Sequence, residues 1–170
     1  MKREYEICRA NISEDGVYRY SLERFWGKGS DFRTMVFCML NPSTADAEKD
    51  DPTIRRCIGF AEREGRNKIL VVNTLALRTY NPDLLYTHSN PMGPFNRFEI
   101  KKACREAASH DNRIICAWGN NCPRHVAQAT YELILGMECV PYCLGTTKKG
   151  EPKHPLYLAG DTPFVKYERK

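Results

Sequence analysis

Four stretches of this chain are almost continuously apolar, with none of the alternation that marks a strand open to water on one side. They are Thr34–Leu40, Lys68–Thr74, Arg113–Trp118 and Cys139–Leu144. Strands covered on both faces read this way, and parallel sheets are built from them. Three of the runs break directly into Asn, Gly or Pro, at Leu40-Asn41-Pro42-Ser43, Val71-Val72-Asn73-Thr74 and Ala117-Trp118-Gly119. His154-Pro155-Leu156 follows the fourth. In an open parallel sheet, ligands bind in the crevice outside the carboxyl ends of the strands, so these breaks are the first places to look for chemistry.

The intervals between the runs carry helix signals. Asp51 caps a helix with Pro52 at its first position, and Gly65 ends it. Ile54, Cys57, Ile58 and Ala61 fall on one face of that helix. Pro94 opens a second helix, with Ile100, Ala103, Cys104 and Ala107 inward. Pro123 opens a third, with Val126, Ala129, Thr130 and Leu133 inward and Gly136 as terminator. Pro141 has no N–H to give a ladder, which predicts an edge position for the fourth run. Before all of these, Tyr18, Tyr20 and Leu22 alternate with Arg19, Ser21 and Glu23, the pattern of a half-buried strand. Asp15-Gly16 just ahead is a turn signal that pairs this strand with the segment around Tyr5 and Ile7, giving a hairpin over residues 5–25. The pattern predicts a single α/β domain over residues 1–170. Its architecture is a three-layer α/β/α sandwich with a four-stranded, mostly parallel sheet, right-handed crossovers and an N-terminal β-hairpin.

Composition narrows the function classes. The chain has 170 residues, 42% hydrophobic and 28% charged, which fits one globular domain rather than a disordered chain. A net charge of +5 permits a nucleotide or nucleic-acid partner without demanding one. No apolar stretch approaches the ~18 residues of a membrane span. Met1-Lys2-Arg3-Glu4-Tyr5 lacks the apolar core of a signal peptide, so a cytoplasmic location and no membrane partner are expected. The eight cysteines include no C-x-x-C pair and are read as reduced, mostly buried thiols. Cys116, Cys122, Cys139 and Cys143 form the one set that can gather near one end of the sheet, and their spacing matches no ligand pattern. No metal and no cofactor is expected.

The polar residues at the strand ends carry the functional signal. Asn41 follows the first run, and its amide can hold a water or read a base edge; the bland alternative is a turn Asn tying its own loop together. Asn73 ends the second run in the same way. Two amides at adjacent strand ends make a poor nucleophile but a good reader of an amide-containing ring. Ser43-Thr44-Ala45-Asp46 and Asp50-Asp51-Pro52-Thr53-Ile54-Arg55-Arg56 form the densest polar stretch. Arg55 and Arg56 sit near a helix N-terminus, where the dipole disfavours cations unless an anion docks there. The alternative for them is a structural salt-bridge network with Asp46 or Asp50. Trp118-Gly119 reads as a ring packed beneath the sheet edge and a tight turn, and the Gly also lets a ligand approach the backbone. His154 can donate to charge developing on a leaving group, while His88, His110 and His125 read as surface residues. The phosphate-binding P-loop, the nucleophile elbow, the zincin helix and the dinucleotide fingerprint are all missing from the sequence.

Two resemblances follow from these residues. The block Leu40-Asn41-Pro42-Ser43-Thr44-Ala45-Asp46, with Asp51-Pro52-Thr53-Ile54-Arg55-Arg56-Cys57, Asn73, Ala117-Trp118-Gly119 and His154-Pro155-Leu156-Tyr157-Leu158, resembles a bacterial and phage family known as domain of unknown function 1643. More distantly, the order of the motifs is similar to that of the uracil-DNA glycosylase superfamily. That superfamily has a water-binding Asp or Asn followed by Pro after the first strand, and a strand ending in a base-reading Asn. A strand with Trp-Gly and a His-Pro loop that stabilises the leaving base come next. The resemblance implies those roles for Asn41, Asn73, Trp118-Gly119 and His154. The superfamily's Ser-Pro after His-Pro is Leu156-Tyr157 here, and an intercalating loop has no counterpart, so a nucleobase pocket is implied and duplex base flipping is not.

The leading expectation is a nucleobase- or nucleotide-processing hydrolase of N-glycosidase type, acting on modified nucleotides or DNA. Asn41 orients a water, His154 stabilises the departing base, and Asp46 or Asp51 supplies a base if either lies beside Asn41. Asn73 holds the ring; Ser43, Thr44, Trp118 and Gly119 join the substrate-binding set, and Arg55 and Arg56 hold a phosphate. Two alternatives stand beside it. One is a non-catalytic nucleotide or nucleic-acid binding module. The other is a hydrolase or transferase on a phosphorylated small molecule, centred on the Asp/Arg cluster.

Overall fold

A computed structural model of the chain describes residues 3–170; Met1 and Lys2, the first residues of the stretch read above for a signal peptide, lie outside the described residues. Strands β1 (Ile7–Ile12) and β2 (Arg19–Phe25) form the expected antiparallel hairpin. The apolar runs become β3 (Thr34–Met39), β4 (Lys68–Asn73), β5 (Arg113–Ala117) and β6 (Val140–Cys143). β3 pairs in parallel with β4 on one side and β5 on the other, and β5 with β6.

The sheet is larger and more mixed than the sequence pattern predicts. It has seven strands in the order β1-β2-β4-β3-β5-β6-β7, where β7 is Val165–Lys166. β2 runs antiparallel to β4, so the hairpin extends the sheet. β7 lies antiparallel to β6, so the Pro141 strand is not the edge. Pro141 remains compatible with that position because it contributes an acceptor: Tyr167 N–H donates to its carbonyl at 2.9 Å.

Helix α1 (Pro52–Arg63) starts as its capping signals predict, with the Asp51 carboxylate accepting from Ile54 N–H at 2.8 Å. The short α2 (Leu84–Thr87), absent from the sequence reading, precedes α3 (Asn96–Ala108), and α4 (Arg124–Gly136) follows β5. The buried stripe of α4 is rotated from the expected one: Ala127 and Ile134 are buried, whereas Ala129 and Leu133 are only partly so. Gly136 is still helical, and Glu138 takes the left-handed turn at φ 59°.

Two apolar clusters lie against the sheet. Met35, Phe37, Met39, Ile69, Val71 and Ile115 pack with α1 residues such as Ile54, Cys57 and Ile58. Val36, Cys38, Leu70, Val72, Ile114 and Cys116 pack with α3 and α4 residues such as Cys104, Ala107 and Val126. Successive residues of β3 alternate between the two clusters, which is why the sequence shows no polar positions there.

Strand β2 departs from its expected half-buried pattern. Tyr20 and Leu22 are buried as predicted, but so is Arg19 of the opposite parity, at 2% exposure, and Arg24 places a charge on the inward parity at 0%. Arg24 is held by the Asp50 carboxylate at 2.7 Å and by the Lys49 carbonyl at 3.2 Å. Its guanidinium thus organises the loop that leads into α1. Among the described residues no helix is long and apolar enough to cross a membrane.

Candidate functional site

The chain goes from β3 to β4 on one side of β3 and then returns to place β5 on its other side. Such a reversal opens a crevice at the carboxyl ends of the strands. The crevice holds a cavity of about 560 Å³, within the range of small-molecule sites. Its wall is built from the end of β3 (Met39, Leu40, Asn41, Ser43), the end of β4 (Asn73) and the residues after β5 (Trp118, Gly119). The start of α1 (Asp51, Thr53, Ile54), Arg19 of β2 and the His154–Tyr157 segment complete it. Seven of the residues singled out from the sequence therefore share one cavity: Asn41, Ser43, Asp51, Asn73, Trp118, Gly119 and His154.

Asn41 has a fixed orientation. Its Nδ2 donates to the carbonyls of Thr79 (2.7 Å), Pro42 (3.0 Å) and Leu77 (3.3 Å). Three acceptors around one atom require that atom to be the nitrogen, so the amide cannot be flipped. Oδ1 has no partner among the described residues and is the atom left to accept from a ligand or water. The bland reading of Asn41 as a loop tie and the functional one are thus both satisfied, by different atoms of one side chain.

Asn73 is 1% exposed. Its carboxamide makes no hydrogen bond among the described residues, and its Nδ2 is buried without a partner. Buried amides nearly always find partners within the fold. Asn73 is nonetheless one of the residues that line the cavity.

His154 accepts from the Leu156 N–H through Nδ1 at 3.3 Å. A neutral ring with Nδ1 as acceptor carries its proton on Nε2, which is left as a donor. Burial lowers the His154 pKa below the ordinary histidine range, and the nearby Asp51 carboxylate only partly offsets this. Asp51 uses Oδ1 to cap α1 while lining the same cavity. It is the carboxylate beside the pocket, the position the sequence left open between Asp46 and Asp51.

Trp118 is buried, as expected for a ring beneath the sheet edge. Its Nε1 donates to Glu151 at 2.9 Å, and its ring meets Tyr167 edge-on at 5.8 Å. Glu151 in turn holds Arg169 at 2.6 Å. Gly119 sits at φ 69° with nothing within 4 Å of where a Cβ would stand, so the backbone here is open to the cavity side.

The other expected residues lie elsewhere. Asp46 turns its carboxylate onto its own loop and accepts from Glu48 N–H (2.8 Å) and Lys49 N–H (2.9 Å), bonds that lower its pKa. Thr44 is exposed and does not line the cavity. Arg55 donates to the Asp50 carbonyl at 2.9 Å and lines a different cavity with Tyr5 and Asp50. Arg56 bonds the Leu158 carbonyl and lies 5.3 Å over the Phe60 ring. The helix start binds its own neighbours through these two arginines, and the cation at the cavity is Arg19.

Arg19 was hidden from the sequence because its strand alternates, which placed it on the solvent side. Its only usable signal was a cation just after a hairpin turn, one strand from the parallel set. Tyr80 and Tyr157, 86% and 88% exposed, stand at the cavity; Tyr80 carries no sequence signal beyond its type, and Tyr157 only its place in the His154–Leu158 block. A larger cavity of about 760 Å³, lined by Lys148, Lys149, Arg124 and Arg169 among others, lies beyond Asn120 and holds none of the strand-end amides. Seven of the cysteines are buried and all eight are free. Among the described residues no group of three or more His, Cys, Asp or Glu side chains is arranged to hold a metal ion.

A family model described as a protein of unknown function (DUF1643) matches residues 19–156. That span begins at Arg19 and ends two residues past His154, so it includes every cavity residue named above except Tyr157. No curated protein and no solved structure matches the chain.

Proposed function

The chain belongs to the DUF1643 family of proteins of unknown function, and from its strand-end cavity we propose that it hydrolyses the N-glycosidic bond of a nucleoside-type ligand. The observation that carries this reading is Asn73: a buried carboxamide with no partner, on a residue that lines a cavity together with Asn41 and His154. An amide left without partners is suited to the donor–acceptor edge of a nucleobase. On this reading the parallel strands with α1 on one side and α3 and α4 on the other form a uracil-DNA glycosylase-like core, extended by the hairpin and β7.

The reaction breaks the bond between the sugar carbon and the base nitrogen, and the bonding pair leaves with the base. Water adds its oxygen to the sugar carbon. Its surplus proton passes to the Asp51 carboxylate, and the base takes up a proton after departure. Asn41 Oδ1 accepts one hydrogen of that water, because its amide nitrogen is already committed. His154 donates from Nε2 to the charge growing on the base, and its low pKa keeps it neutral and in the donating tautomer. Donors fixed before the reaction stabilise such charge most effectively.

The test is mass spectrometry of the full chain incubated with nucleosides, nucleotides and modified DNA. Release of a free base, lost in Asn73→Ala and His154→Ala while folding persists, supports the proposal. Tight binding without product makes the chain a sensor, and release unaffected by both changes overturns the assignment of the site.

A further inference from the structure

We infer that the ligand carries a phosphate group, and that Arg19 is the residue that binds it. This rests on the nucleobase reading for the other half of the ligand and makes the substrate a nucleotide rather than a nucleoside.

Arg19 is 2% exposed and lines the cavity. Within the protein its guanidinium has one hydrogen bond, from Nη1 to the Ala45 carbonyl at 2.6 Å. Its Nε is buried with no partner. None of the ion pairs among the described residues includes it. Buried charges are ordinarily paired, and this one is not.

Charged neighbours act on it in both directions. Burial lowers the Arg19 pKa to about 10, the carboxylates of Asp51 and Asp46 raise it, and the positive charges of Arg78 and Arg24 lower it. Arg24 has its own partner in Asp50. Arg78 donates only to the Gly16 carbonyl, at 3.1 Å. Asp51 is the one carboxylate lining this cavity, and it already caps α1. The wall therefore holds one guanidinium and one carboxylate that make no ion pair with each other, and an anion from outside can supply the partner that Arg19 lacks within the fold.

The shape of the donor set selects phosphate. Arginine binds oxyanions through a planar fork of N–H groups. Ser43, Thr53 and the start of α1 line the same cavity, adding hydroxyl donors and the positive end of a helix. Arg55 and Arg56, the candidates from sequence, each bond a backbone carbonyl and neither lines this cavity.

The experiment is calorimetric titration of the full chain with nucleosides, their 5′-monophosphates and inorganic phosphate, repeated on Arg19→Lys and Arg19→Gln. A monophosphate is expected to bind at least tenfold tighter than its nucleoside, with the difference reduced in Arg19→Lys and abolished in Arg19→Gln. A short single-stranded oligonucleotide binding in place of every monophosphate would give the same phosphate a polymeric source. Equal affinity for nucleoside and monophosphate overturns the inference and leaves the base pocket standing. Inorganic phosphate stabilising the wild type but not Arg19→Gln, with no nucleoside or nucleotide bound, overturns the nucleobase reading and leaves the anion site. If Arg19→Gln does not fold, the wild-type comparison decides alone, and a wild type indifferent to every phosphate overturns the inference.

Discussion

The Asn41 amide nitrogen donates to the Thr79 carbonyl at 2.7 Å, and this bond joins the end of β3 to the loop that leaves β4. The residue read as a water holder is also a brace. The free oxygen is oriented because the nitrogen is tied down.

Asn41 variants are therefore expected to change stability as well as function. Asn41→Ala takes the side-chain donor from the Leu77 and Thr79 carbonyls, while the Pro42 carbonyl keeps the Thr79 N–H, and is expected to destabilise by about 1–3 kcal/mol. Asn41→Asp is expected to be worse at neutral pH, because a carboxylate would face carbonyl oxygens. Its folded-state pKa would lie above the unfolded value, so the penalty appears as pH rises through the ordinary carboxyl range and is relieved on acidification. Urea unfolding of both variants at pH 7 and in mild acid checks the order and its reversal.

The neutral His154 makes a second expectation. Its folded pKa is depressed, chiefly by burial, so the unfolded chain binds more protons just below the ordinary histidine pKa of ~6.5. Stability is then full above that value and declines as pH falls from it to the folded pKa, where the loss levels off. Protonation would also put a hydrogen on the nitrogen that accepts from Leu156. Imidazole resonances of His154 should titrate below those of a free histidine, and His154→Asn should remove this part of the pH slope. A titration at or above the ordinary value would contradict the geometry.

Burial separates two ion pairs of similar chemistry. Arg24 and Asp50 meet at 2.7 Å with side-chain exposures of 0% and 15%. Removing the carboxylate in Asp50→Ala strands a buried guanidinium and is expected to cost about 3–5 kcal/mol. Arg3 and Glu62, at 38% and 40% exposure, are solvated, and Glu62→Ala is expected to change stability by about 0–1 kcal/mol. Parallel chemical denaturation of the two variants measures the contrast, which also tests whether Arg24 organises the 46–50 loop.

The parallel strands and their ends were legible because double burial leaves a distinctive sequence: β3 feeds alternate residues to two cores, so no polar position breaks the run. The cap of α1 was legible for a local reason, since Asp51 and Pro52 act within one turn. What escaped was long-range. Arg19 looks solvent-facing in an alternating strand, and Arg24 puts a charge on the inward parity; the attachment of β2 to β4, with the 45–50 loop folded over it, buries both. Arg55 and Arg56 looked like an anion site because the carbonyls they bond, at Asp50 and Leu158, cannot be foreseen from composition. β7 was missed because two residues carry no periodicity.

The cysteines give an expectation that separates thiol packing from reactivity. Cys8 is partly buried and the other seven are buried and free. Burial raises the pKa of Cys122 to about 11 and that of Cys104 to about 12, so neither is a thiolate at neutral pH. Thiolates are the reactive form. A colorimetric thiol reagent should find at most one fast-reacting cysteine, lost in Cys8→Ser, and all eight after denaturation. Several fast thiols in the native protein would mean that the core facing α3 opens readily.

Asn73 offers the sharpest separation of stability from function. A buried amide nitrogen with no partner weakens the fold by the desolvation it does not recover, about 1–3 kcal/mol where the group is fully excluded from water. Its backbone is not in question, because Asn73 pairs with Met39 in the parallel ladder and its carbonyl accepts from Asn96 at 2.8 Å. Replacing the side chain with an apolar one of comparable reach removes the unmet donor without touching those bonds. Asn73→Leu is therefore expected to unfold at the same temperature as the wild type or a few degrees higher, while losing affinity for any ligand that needs the amide. Sites kept for function at the expense of stability behave in this way. Calorimetric melting of Asn73→Leu with and without ligand reads both quantities, and a variant clearly less stable than the wild type would show that the amide is satisfied within the fold.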